Sequence, residues 1–249
     1  MNDIFINKNK SILQALKKLN ALRDVSRLIL FVTNNDGSVL GSLTDGDIRR
    51  SLAIQPDLLR EVGEICYRNF LFEDDEKEFL DLSSFRKKDI KVLPILDKNK
   101  KIVRILDLEK IKSILPFECM IMAGGRGKRL SPLTDNVPKP MLLLDGKPIL
   151  EHNIDRLIAF GIKKIYISVK YLGEQIQEYF GDGSQKGIII EYVWEEEFLG
   201  TAGALALVDE FKSEHVLLMN SDLFTDVDFQ DLYLELIKSK ADMAVSSTE

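Results

Sequence analysis

From Phe117 onward the chain alternates short apolar runs with amphipathic stretches, and this alternation restricts the fold more than any other feature. "FECMIMA" reads as a buried strand entering a glycine-rich turn, and "PILEHNIDRLIAFG" as a helix stopped by Gly161. "KKIYISVK" then predicts a strand, "GEQIQEYFG" a helix, "GIIIEYVWE" a strand, "TAGALALVDEF" a helix and "HVLLMNSD" a strand. "DFQDLYLELIKS" adds a helix, and "ADMAVSS" begins one more strand. Strands separated by helices need crossover connections, so the pattern predicts a mainly parallel α/β sheet of Rossmann-like type with helices on both faces. Ligands of such sheets gather at the carboxyl ends of the strands. Three polar segments fall at those ends: "MAGGRGKR", "EEEFLGTAG" and "NSD".

The first 115 residues have a different organisation. "LILFVTNNDGSVLGSLTDGDIRRSL" (28–52) and "KVLPILDKNKKIVRILDLEKIKSIL" (91–115) each read as strand, tight turn, strand, helix, at a constant offset of 63. "NNDG" is a hairpin signal because the turn needs a positive φ, and "DKNK" occupies the same place in the second copy. An earlier helix belongs to each copy, "SILQALKKLNAL" in the first and "EKEFLDLSSF" in the second. "EDDEKE" (73–78) reads as its solvated start. Two βαββα units of this size bury little core alone, so they are expected to pair. Pro116 is expected to end the last helix of the pair. The domains are therefore 1–115 (about 1–58 and 59–115) and 116–249.

Composition narrows the class. The chain has 249 residues, 45% hydrophobic and 30% charged, with a formal net charge of −6. No apolar run reaches the roughly 18 residues of a membrane span, and the N-terminus lacks the pattern of a signal peptide. A cytoplasmic protein without a membrane partner is the expectation. The acid excess argues against a nucleic-acid partner. Cys66 and Cys119 match no metal spacing and read as buried, reduced thiols. His152 and His215 read as structural.

In this acidic chain, "MAGGRGKRLSPLTDNVPKP" (122–140) gathers three glycines, two arginines and two lysines around a single acid, Asp135. Glycines let a ligand approach the backbone and expose N–H groups to an anion, and arginine and lysine neutralise phosphate. A polyphosphate is the natural guest; a surface loop of solvated cations is the alternative. The P-loop pattern fails because Gly127-Lys128 is followed by Arg129, and the dinucleotide fingerprint fails at Leu130.

The first 115 residues resemble a pair of CBS domains, on the hairpin, the following "GSLTDGDI" and the tandem spacing. Such pairs commonly bind adenosine nucleotides and regulate an attached enzyme. The resemblance would put Thr44 and Asp47 on the nucleotide, with the carboxylate on the ribose hydroxyls. The same "TDGD" also makes a helix capping box without any ligand. The second copy departs from the pattern, with Asp107 and Lys110 at those places. A structural or dimerising pair is the other reading, and homo-oligomerisation is the expectation by analogy.

Residues 117–249 resemble the sugar-phosphate nucleotidyltransferases, on "MAGGRGKRLSPLTDNVPKPML", "LGTAGAL" and "NSD" in that order. The likeness is greatest to the mannose-1-phosphate and glucosamine-1-phosphate guanylyltransferase type. With the CBS pair, it is to bacterial enzymes acting on hexosamine 1-phosphates in nonulosonic acid sugar pathways. The resemblance implies that Gly124, Gly125 and Gly127 bring N–H groups to a nucleoside triphosphate. Arg129 would hold the leaving β and γ phosphates, and Lys139 would neutralise the α phosphate. Asp222 would bind catalytic magnesium; a turn or cap residue is its other reading. Arg126 and Lys128 fall at variable positions. Gly200 and Thr201 form the loop bordering the nucleobase, and Glu195 would touch the base edge, unless Glu195 to Glu197 are a solvated acidic turn. A carboxylate accepts the two adjacent donors of guanine, so GTP is favoured. The implied reaction joins a sugar 1-phosphate to the triphosphate and releases pyrophosphate. Only about 130 residues follow the boundary, so a chain truncated at its C-terminus, with an incomplete sheet and without full activity, is expected. A regulatory nucleotide-binding module carrying a non-catalytic remnant is the reading from a different class.

Overall fold

The computed structural model describes residues 4–22, 28–197, 199–200 and 202–247. The chain forms two compact units, Met1–Lys77 with Ser83–Lys110, and Glu78–Leu82 with Ile111–Glu249.

In the first unit, β1 (Phe5–Asn7) lies parallel to β2 (Ile29–Thr33), which pairs antiparallel with β3 (Val39–Thr44). Helix α1 (Ile12–Ala21) connects β1 to β2, and α2 (Asp45–Ile54) follows β3. Ser11 and Gln14 close a capping box on α1, whose Ile12, Ala15 and Leu19 are buried at helical spacing. The second hairpin, β4 (Val92–Leu96) with β5 (Ile102–Asp107), repeats the first down to its irregularity. Thr33 pairs Val39 across a bulge, and Leu96 pairs Ile102 across another, 63 residues on. At the turns, Gly37 has φ +85° and Lys100, at the same offset, has φ +58°. The copies do pair: Phe31, Val39 and Leu96 share one buried cluster, and the Val39 N–H donates to the Lys100 carbonyl at 2.9 Å.

The second copy departs from expectation between its strands. Glu73 and Asp74 form the strand parallel to β4, not a helix start, and within 76–85 the only α-helix is the single turn beginning at Ser83. Fewer residues separate the two parallel strands than in the first copy, and part of them, Glu78–Leu82, folds with the other unit. The helix expected after β5 does not form either. The Leu115 N–H donates to the Phe160 carbonyl at 3.1 Å, Lys112 N–H to Ala159, and Ser113–Ile114 pairs antiparallel with Leu80–Asp81. These backbone donors satisfy the open carbonyls at the end of a helix in the second unit, which overrides the local helical pattern.

The second unit is built on a four-stranded sheet. Its elements are β6 (Phe117–Met122), α3 (Ile149–Ala159), β7 (Lys164–Val169), α4 (Gly173–Phe180), β8 (Ile189–Trp194), β9 (His215–Asn220) and α5 (Phe229–Ser239). The order is β8-β7-β6-β9, with every neighbouring pair parallel. Alternation along the strands divides the core. Cys119, Ile121, Ile165 and Ile167 pack against α3, α4 and the start of α5. Met120, Tyr166 and Val193 face the other way. Among the described residues no α-helix covers that second face. "TAGALALVDEF" gives only a 3-10 turn, Gly203–Leu207, after which Val208 and Phe211 cover the sheet. The buried Glu118 carboxylate accepts the Lys212 N–H at 2.8 Å and holds this segment without helical hydrogen bonds. Residues 241–247 form no strand.

Helix α3 is fixed from outside. Lys186 reaches Glu151 and Asp155, both at 2.7 Å, Lys147 reaches Asp155 at 2.7 Å, and the Tyr179 hydroxyl donates to Glu151 at 2.8 Å. Burial alone would raise both carboxyls, but these hydrogen bonds hold them below the ordinary carboxylate range. Both cysteines are buried free thiols, and burial pushes both upward in pKa, Cys119 furthest.

Candidate functional site

The chain runs outward from β6 to β7 and β8, then returns to the far side of β6 as β9. That reversal opens a crevice where the strands end. Gly124, Gly125, Gly127, Arg129, Lys139, Glu195, Gly200 and Asp222, all singled out from the sequence, line one cleft there of roughly 510 Å³. Thr201 lies outside the described residues. Thr44 and Asp47 belong to the first unit.

The loop after β6 keeps its shape through its own side chains and those that follow β7. Gly127 has φ +61°, and a Cβ there would lie 3.1 Å from Lys139 Cβ and 3.2 Å from Thr134 Cγ2. The Thr134 hydroxyl donates to the Gly127 carbonyl at 3.0 Å, closing the loop on itself. Tyr171 donates to the Asp135 carbonyl at 2.7 Å and Gln175 to the Asn136 carbonyl at 3.0 Å. Arg126 stacks over the Tyr171 ring at 5.1 Å, on the side of the loop facing a second cavity of roughly 360 Å³. Lys128 and Arg129 border the main cleft with no acidic partner among the described residues, which leaves their charge available to an anion.

Lys139 and Asp222 meet across the cleft, and the ammonium donates to the Asp222 carboxylate. Both side chains are about a third exposed (33% and 32%), so each can reach a ligand. Ser221 anchors Asp222: its N–H donates to the Met122 carbonyl at 3.1 Å, and its carbonyl accepts from Asn153 Nδ2, also at 3.1 Å.

Glu195 is buried (8% exposed), not part of a solvated turn. Its Oε1 accepts from the Ser168 hydroxyl, and its Oε2 from the Leu199 N–H at 3.2 Å. A Cβ on Gly124 would lie 2.8 Å from Oε1, so only glycine leaves the carboxylate this position. Each carboxylate oxygen keeps a further lone pair.

In the first unit, Thr44 and Asp47 form the capping box of α2. Asp47 Oδ2 accepts from the Thr44 N–H at 2.8 Å and hydroxyl at 2.7 Å, and Oδ1 accepts from Arg50 at 2.6 Å. Both carboxylate oxygens are therefore already engaged.

Asn153 and Ser168 escaped the sequence reading, though each carried a signal. Asn153 is a polar residue on the apolar stripe of Leu150, Ile154 and Leu157, and Ser168 interrupts the apolar strand "IYISV".

A parallel sheet whose strand ends present a glycine-arginine loop and a paired lysine and aspartate has the arrangement in which α/β folds receive anionic ligands. The chain belongs to the nucleotidyl transferase family, whose model matches residues 118–248. The CBS-domain model matches residues 1–54. Over 116 residues the chain is 38% identical to the mannose-1-phosphate guanylyltransferase of Mycobacterium tuberculosis, covering 46% of this chain and 32% of that protein. It is 41% identical over 115 residues to the N-acetylmuramate α-1-phosphate uridylyltransferase of Neisseria meningitidis, covering 45% and 50%. A third similar protein is HddC of Yersinia pseudotuberculosis, solved with GMP-PN, at 28% identity and a TM-score of 0.42, covering 51% and 55%. The chain thus spans a third to a half of the length of the curated relatives it matches.

No cluster of three or more acidic, histidine or cysteine ligands exists among the described residues. Magnesium still suits the donor set, because it keeps several waters and takes one or two carboxylates beside substrate phosphates. Of the two carboxylates in the cleft, Asp222 is the one exposed enough for this use, although Lys139 holds it here. No helix among the described residues is long and apolar enough to cross a membrane.

Proposed function

We propose that residues 111–249 carry the nucleoside triphosphate side of a sugar-1-phosphate nucleotidyltransferase. A phosphate oxygen of the sugar 1-phosphate attacks the α phosphorus in line, and the bond to the β phosphate breaks. The products are a nucleoside diphosphate sugar and pyrophosphate. The observation that carries this reading is the convergence of Arg129, Lys139 and Asp222 with the Gly124–Gly127 loop in one cleft. The loop amides and Arg129 hold the β and γ phosphates, and Lys139 neutralises the α phosphate as charge builds there. Asp222 would hold magnesium, which supplies further neutralisation of the phosphates when bound. No protein nucleophile is needed, because positioning and charge carry the catalysis. GTP is the favoured donor, and cytoplasmic synthesis of sugars for cell-surface glycans or nonulosonic acids is the role. The test is pyrophosphate release with GTP, magnesium and a panel of hexose and hexosamine 1-phosphates. Release that requires both sugar phosphate and metal is expected. GTP binding without release for any sugar would favour the regulatory module instead.

The CBS pair is proposed to bind an adenine nucleotide weakly and to tune the attached unit. The binding is weak because ribose hydroxyls must share a carboxylate that Thr44 and Arg50 already hold. Calorimetric titration of the chain with AMP, ADP and ATP should show binding that Asp47→Ala removes. No binding, or binding indifferent to this change, makes the capping box the whole role of Asp47. Regulation would appear as a changed catalytic parameter on adding the nucleotide.

A further inference from the structure

Asn153 is 4% exposed, on α3, a helix that adds no other side chain to the contacts around Asp222 described above. A buried amide on an apolar stripe is unfavourable unless its hydrogen bonds are satisfied. Here the Nδ2 donor crosses to the Ser221 carbonyl, 68 residues away in the chain. Ser221 is itself buried, and its N–H is bound to Met122 at the end of β6. The residue preceding Asp222 is therefore clamped on both of its peptide groups, one by the sheet and one by Asn153. Asp222 follows directly, its backbone fixed and its side chain at the cleft. The helix that carries Asn153 is held from the opposite side by Lys147 and Lys186, through Asp155 and Glu151.

We infer that Asn153 is a positioning residue: through the Ser221 carbonyl it sets where the Asp222 carboxylate stands, and so tunes how well that carboxylate holds a divalent cation beside the nucleotide. The inference rests on the proposal that Asp222 is the metal ligand. Groups that orient a metal ligand typically change metal affinity by about 10–100-fold when removed. Asn153 touches no part of the phosphate loop in these contacts, so its loss can reach metal-free nucleotide only through the exposed Lys139–Asp222 pair, worth at most about five-fold.

The experiment uses the whole chain and Mn²⁺ as the probe, followed by electron paramagnetic resonance at saturating GTP. Calorimetry of GTP in the presence of EDTA is the second readout. Asn153→Leu keeps the branched outline and removes the donor, and Asn153→Asp keeps the shape and size and places an acceptor against the carbonyl. Both are expected to weaken Mn²⁺ by about ten-fold or more, with metal-free GTP affinity changed by no more than the roughly five-fold that the Lys139–Asp222 pair can contribute. A purely structural role would lower both affinities together, along with the melting temperature, and would overturn the inference. So would unchanged Mn²⁺ affinity in whichever variant melts like the wild type. Asp222→Asn separates the two levels: if it leaves Mn²⁺ binding intact, the metal-ligand reading fails and this inference with it. If it abolishes binding while the Asn153 variants do not, only the inference fails.

Discussion

Lys139→Ala is expected to lower the turnover of pyrophosphate release by about 10²–10³-fold, the usual loss when one group that stabilises developing charge is removed. The same change is expected to tighten divalent cation binding to the nucleotide-free chain. The opposite signs follow from the ion pair with Asp222. Without ligand, the ammonium occupies the carboxylate that a metal would use. On the proposed reading, the α phosphate of a bound triphosphate would give the ammonium a better partner and release Asp222. An ion pair this exposed is worth about 0–1 kcal/mol, so the gain in metal affinity is at most about five-fold. Steady-state rates and Mn²⁺ titration of the free chain check the two halves. Near wild-type turnover in Lys139→Ala would sink the catalytic assignment. Weaker metal binding in that variant would show that the pair does not hold Asp222 back.

The second large effect concerns the base. GTP is expected to be preferred over UTP by on the order of 10⁴, since a site built on paired hydrogen bonds rejects a base that leaves them unmade. Ser168 and Leu199 donate to opposite oxygens of Glu195, which fixes the carboxylate plane and leaves one lone pair on each oxygen. Guanine presents two adjacent donors, N1–H and the exocyclic amine. Uracil presents one donor between two acceptors and meets a carboxylate oxygen with an oxygen. Glu195→Gln should collapse the preference, because its amide must either face the Leu199 N–H, donor against donor, or turn a donor to the base. Competition among GTP, UTP, dTTP, CTP and ATP measures this in both proteins. A wild type that prefers UTP, or a glutamine variant with unaltered preference, would remove Glu195 as the reader.

The parallel sheet and most of the cleft were legible because their signals are local. Glycine and lysine spacing marks the phosphate loop, and apolar runs mark β6 to β9. The two hairpins of the first unit were legible through repetition, down to the turn where Lys100 takes the conformation of Gly37. What failed was local pattern under tertiary control. Leu108, Ile111 and Leu115 suggest a helix, but the carbonyls of Ala159 and Phe160 draw that backbone into another arrangement. Ala204, Leu205 and Val208 suggest a helix too, yet the sheet needs only a 3-10 turn and an extended cover. The clamp from Asn153 to Ser221 joins residues far apart in the chain, and no spacing announces it.

The ties of Tyr171 and Gln175 to the carbonyls of Asp135 and Asn136 bear on how a ligand is captured. A loop stitched to its neighbour before any ligand arrives surrenders little conformational entropy on binding. On the proposed reading, favourable contacts with phosphate would then go into affinity, not into ordering the backbone. Capture becomes a matter of electrostatic steering and desolvation, set by salt more than by loop motion. Cutting either stitch would turn a preformed cradle into one each nucleotide must assemble for itself.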